Sequence, residues 1–235
     1  MSLLTVIAYL SLALGLLSAL WLAVDVVLRP QHIAIMALVW PLCALFAGPV
    51  LLAFSLRYGR APLPRPEGHA CHDHHHGAQT PFPAYVASGT LHCGAGCTLG
   101  DILAESLAAL APGVLAVFGY PGLFSDRIFA AWGLDSAFAF VIGIIFQYYA
   151  IVPMRGLSPG RGIIEALKAD ALSLISWQMG IYGVMAIARF GIFGHPLSAP
   201  TPVFWFTMQI AMLTGFITAY PTNWALISLR VKETM

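Results

Sequence analysis

Cys93, Cys97, Asp101 and Glu105 recur every four residues, immediately after His92. On a helix that spacing places them in one stripe that drifts slowly around the axis. Thiolate and imidazole ligands suit Zn(II) and Cu(I). Cys-x-x-x-Cys sets two sulfurs on one helix face, where they can share an ion. With His92 they leave a fourth ligand position open, and Asp101 and Glu105 extend the stripe as a path for a cation. A second group lies just upstream at Cys71, His72, His74, His75 and His76. Such dense, unordered histidine tracts bind divalent metals loosely, which suits a collector or a sensor. Plainer roles stand beside these. Small residues let helices pack closely, and Thr98 with Asp101 three positions later approximates a capping box at a helix start. The histidine tract can equally be a solvated linker.

The surroundings of these residues are apolar. Hydrophobic residues make up 59% of the 235 residues and charged ones only 9%, against about 25% in soluble domains. Mean hydropathy is +0.82. The chain is therefore expected to be an all-α, polytopic membrane helix bundle. A net charge of +1 offers no basic patch for nucleic acid. Four cysteines grouped with histidines point to metal or redox chemistry rather than a disulfide framework. No phosphate-binding loop, haem-attachment motif or His-Glu-x-x-His pattern is present, so neither nucleotide nor haem is expected.

A spanning helix needs about 20 mostly apolar residues, and six segments qualify. They cover roughly 4–28, 32–56, 94–119, 128–152, 163–192 and 202–229. Pro41 and Pro49 predict kinks in the second. Tyr220-Pro221-Thr222-Asn223-Trp224 suggests a break in the sixth. The organisation is two helices over 1–57, a Pro- and His-rich loop over 58–91, and a four-helix region over 92–235 carrying the Cys/Asp motif. The first segment has no basic lead, so it is expected to stay as a membrane helix and not be cleaved.

Charges inside a membrane are costly, and they usually mark a function. Asp135 and Asp170 are ionisable and are candidates for proton coupling or charge balance along an ion pathway. Asn223, beside Pro221, is a candidate for lining an ion site with freed carbonyls. Gln147, Gln178 and Gln209 fit hydrogen bonding between helices. With six straight spans, Arg and Lys divide eight against three between the two sides. That predicts both termini and the His-rich loop on the cytoplasmic side of a bacterial inner membrane.

The pattern His-Cys-x-x-x-Cys-x-x-x-Asp over His92 to Asp101 resembles the signature of a bacterial membrane family, domain of unknown function 4396. Tyr220-Pro221-Thr222-Asn223-Trp224 with its short basic tail is also similar to that family. The likeness covers about 90–235. It implies a multi-span membrane protein and supplies no activity, so function is argued from the residues. The first expectation is a protein that binds and transports a soft or borderline cation, Cu(I) or Zn(II), and is not an enzyme. The alternatives are a thiol redox or metal-insertion assembly factor, and a structural membrane subunit. Its partners would be the bilayer and the metal, with a homo-oligomer or a metallochaperone as further candidates.

Overall fold

The computed structural model describes residues 2–31, 33–62, 80–197 and 199–232. The chain forms a multi-pass helical bundle, and no strand occurs among the described residues. Six helices are each long and apolar enough to cross a membrane: α1 (Leu3–Leu28), α2 (Met36–Gly59), α3 (Phe82–Leu110), α4 (Arg127–Pro153, helical on to Arg155), α5 (Pro159–Phe193) and α6 (Pro202–Ser228).

Helix α3 is the hub. Every residue from Ser88 through Thr98 is buried, so other elements surround it there. Small residues make this possible. A Cβ built on Gly96 would lie 2.8 Å from the Gly143 Cα of α4, and one on Gly100 would lie 2.7 Å from the Ala139 Cα. Such small-residue stripes let membrane helices approach to backbone contact. The sequence placed this helix at 94–119. It starts twelve residues earlier, at Phe82, with Pro83 in the first turn where the missing N–H costs nothing, and it stops before Pro112. Its first half is less apolar than a lipid-facing span, but neighbours enclose it, so low hydropathy was a poor guide there. Thr98 therefore sits deep in the helix. Its hydroxyl donates to the Gly94 carbonyl at 2.7 Å, so it does not cap a helix start.

The second apolar segment does not run straight. Gly48 adopts φ +52° and ψ −134°, a conformation open to glycine and strained for other residues. The chain reverses there. Trp40 and Phe54 have ring centroids 6.2 Å apart, and Gly59 abuts the Trp40 ring. A straight helix would separate residues 40 and 59 by about 28 Å. Both arms thus begin and end at the Asp25 end of α1. Arg60 binds the Asp25 carboxylate at 2.7 Å, and Arg29 donates to the Ala61 carbonyl. The tip reaches the middle of the bundle, where Phe46 packs edge-on against Trp177 of α5. Pro49 has no N–H to offer the Leu45 carbonyl one turn back. Gln209 of α6 supplies the donor at 2.6 Å, and it also accepts from Ser11 of α1 at 2.7 Å. The kink expected at Pro49 is a full reversal, and Gly48 is its cause.

This return changes the direction of the chain. Ser11 and Gln209 are neighbours, while Phe82 packs on Trp224 and Tyr220 donates to the Pro83 carbonyl. Helix α6 therefore runs parallel to α1 and antiparallel to α3. Arg29, Arg57, Arg60, Arg155, Arg161, Lys168, Arg230 and Lys232 lie toward one end, called here the basic end. Arg127 and Arg189 lie toward the opposite end, with the start of α1. The expectation that both chain ends share one side is corrected: α1 starts at the opposite end, whereas α6 finishes at the basic end. The physical reason is that α2 enters and returns without crossing. The break expected near Pro221 is absent as well. Helix α6 is continuous to Ser228.

Candidate functional site

The α3 stripe emerges at the opposite end into a cavity of about 290 Å³. Glu105 of α3 and Asp135 of α4 line it, with Trp132, Met185 and Met208 as apolar wall. Asp126, Arg127 and Arg189 line it from the polar side. Asp126 binds Arg189 at 2.8 Å, and Arg127 donates to the Ala108 carbonyl at 2.9 Å. These pairs hold the ends of α3, α4 and α5 together. Asp126 also caps α4 by accepting from the Ile128 N–H.

Asp101 lies one turn deeper than Glu105. It accepts from Gln178 Nε2 of α5 at 3.4 Å, and its Oδ2 has no partner among the described residues. Asp135 Oδ1 is likewise unpartnered. Asp135 is within electrostatic reach of both Asp101 and Glu105. Sequence spacing joined only Asp101 and Glu105. The crossing of α3 and α4 at Gly100 and Ala139 brings Asp135 to them. Three carboxyl groups thus share one buried region, although each would cost about 2.5–3.5 kcal/mol on a lipid-facing helix. Ser136 and Tyr182 close the α4–α5 side, 2.7 Å apart, and the Tyr182 hydroxyl also donates to the Trp132 carbonyl.

Cys93 and Cys97 are buried free thiols within electrostatic reach of each other. Cys43 of α2 is within electrostatic reach of Cys93, and its thiol donates to the Leu91 carbonyl at 3.2 Å. His92 belongs to the neighbouring face of α3, the face of Gly96 and Gly100, and packs against Phe146 of α4. Among the described residues, no three His, Cys, Asp or Glu side chains stand together as a metal-holding group. The thiol pair therefore continues into the carboxylates, while His92 points away from it. Cys71, His72, His74, His75 and His76 lie outside the described residues.

A second polar cluster fills the basic half of the bundle. Lys232, in the turn after α6, binds Asp170 of α5 at 2.7 Å, with both side chains 0% exposed. His92 is within electrostatic reach of both. Asn223 donates to Ser173 Oγ at 2.6 Å and to the Ala219 carbonyl at 2.9 Å. Gln147 of α4 is fully buried and neither amide atom has a partner among the described residues. The sequence marked Asp170 and Asn223 as pathway candidates, and the fold brings them together with His92. It did not mark Lys232, whose place in a short basic tail resembles an ordinary cytoplasmic anchor. The only signal was its distance of nine residues from Asn223.

Residues 84–232 match the family described as "Domain of unknown function (DUF4396)". No curated protein and no solved structure matches the chain. The match includes the α3 stripe, Asp135, Asp170, Asn223 and Lys232. It leaves out α1 and α2.

Proposed function

The chain belongs to the DUF4396 family, and from that premise we propose that it is a membrane carrier for a cation, handled by the thiol and carboxylate stripe of α3. The observation that carries this reading is the convergence of Glu105 and Asp135 on one cavity, with Asp101 behind them. Asp101 Oδ2 and Asp135 Oδ1 have no partner among the described residues, and together with Glu105, whose charge Arg127 partly offsets, they offer oxygen ligands and negative charge to a cation. Cys93 and Cys97 continue the same stripe toward the basic end, and their sulfurs favour a soft or borderline ion, Cu(I) or Zn(II), as cargo. Under the positive-inside rule the basic end is cytoplasmic, with eight of the described basic residues against two. The cavity then faces outward in a cell inner membrane. Residues 62 and 80, which flank the His-rich stretch, lie at the cytoplasmic end.

Proteoliposome flux tests the reading. Purified protein is reconstituted, and Zn²⁺ and Cu⁺ uptake is followed with entrapped indicators. Asp135→Asn is expected to lower uptake at least tenfold without changing the melting temperature by more than a few degrees. Uptake that is unaffected by Asp135→Asn, Glu105→Gln and Asp101→Asn together would refute it.

The two free thiols of Cys93 and Cys97, one helical turn apart and both buried, support a second reading, a membrane thiol pair that passes metal to an assembly partner. That role predicts that Cys93→Ser and Cys97→Ser abolish metal retention, while Asp135→Asn leaves it unchanged.

A further inference from the structure

We propose that Asp170, His92, Gln147 and Asn223 form a second cation site in the basic half of the bundle, which Lys232 fills as a tethered ammonium and which a monovalent inorganic cation, Na⁺ or K⁺, takes when the segment after α6 withdraws. This goes beyond the carrier reading and does not depend on it.

Register places the four side chains at one level. Gly96 meets Gly143, and Gly143 meets Leu174. One turn from each of these are His92, Gln147 and Asp170. Asn223 joins the level through its bond to Ser173. The group is deeply buried, yet Asp170 Oδ2, Asn223 Oδ1, both Gln147 amide atoms and both His92 ring nitrogens have no partner among the described residues. Buried polar groups are nearly always paired, so unpaired atoms gathered at one level point to a ligand. Their oxygens, with a single carboxylate, suit a singly charged ion. An ammonium and an alkali cation are interchangeable here in charge.

Lys232 lies outside helix α6, which ends at Ser228. It reaches the site from a turn in which the Val231 and Lys232 N–H groups both bond to the Leu226 carbonyl. Arg230 reverses the chain with φ +58°. Arg230 and Val231 are exposed. Undoing that turn removes the ammonium without disturbing α6. The carboxylate left behind is uncompensated, so it takes up either a proton or another cation, and the unpaired oxygens around it favour the cation.

The test is thermal unfolding in detergent at pH 8, with choline chloride exchanged for NaCl or KCl at constant ionic strength. Wild type is expected to melt at one temperature in all three salts. Lys232→Gln is expected to melt lower in choline and to recover at least 5 °C in Na⁺ or K⁺. Asp170→Asn/Lys232→Gln, which buries no charge, is expected to fold and to show no salt preference. Melting of Lys232→Gln that does not depend on Na⁺ or K⁺ overturns the proposal. So does failure of Lys232→Gln to fold in any of these salts while the double variant folds, because the inorganic ion then cannot replace the ammonium.

Discussion

Asp170 and Lys232 illustrate how burial changes the value of a charge pair. At a surface such a pair contributes little. With both side chains fully enclosed, removing one partner strands the other, at a cost of about 3–5 kcal/mol. Lys232→Met is expected to destabilise the protein by that order, measured by chemical unfolding in mixed micelles, and Asp170→Asn in the same chain should restore most of the loss. Gln209 is a second single residue with a large duty. It bonds Leu45, whose carbonyl Pro49 cannot serve. Gln209→Leu should cost about 1–3 kcal/mol by leaving that carbonyl unpaired. A change under about 0.5 kcal/mol would show that the carbonyl finds another donor.

At the scale of elements, α2 and α3 depart most from a plain spanning helix, for opposite reasons. Helix α2 is apolar enough to cross but is turned back by one glycine at positive φ. Gly48→Ala should therefore destabilise by more than about 1 kcal/mol, and the loss should appear as faster hydrogen exchange in residues 44–52. Helix α3 is less apolar but enclosed from Ser88 through Thr98, because Gly96 and Gly100 admit α4 to backbone contact. Gly100→Leu has no room beside Ala139. It should separate α3 from α4, move Asp135 away from Asp101, and abolish the proposed transport together with stability. Retained flux in a folded Gly100→Leu protein would contradict the crossing as the element that assembles the carboxylates.

Over the whole molecule, the return of α2 sets the sidedness. Five of the described helices run the length of the bundle, and α6 finishes at the end opposite to the start of α1. Single cysteines at Leu3 and Arg161, in a chain with native cysteines replaced by serine, should label from opposite faces with a membrane-impermeant maleimide. Labelling of both from the same face would refute the hairpin. The same geometry sharpens the division of basic residues beyond the sequence count, because Arg29 joins the basic end once α2 no longer crosses.

The sequence alone determined the membrane class and the six apolar helices, since length and hydropathy are local sums that any solvent of lipid chains reads segment by segment. It also determined that Cys93, Cys97, Asp101 and Glu105 share a helix stripe, because a four-residue step is a property of the helix itself. Tertiary structure alone decided which groups the stripe meets. Asp135 joins Asp101 and Glu105 through the α3–α4 crossing. Lys232 reaches back 62 residues to Asp170. His92 turns from the thiols toward Phe146. Each depends on which helices touch and at what height, and those contacts depend on small residues and one reversed turn that hydropathy does not weigh. The carboxylates could be found in the sequence, whereas their company could be found only in the fold.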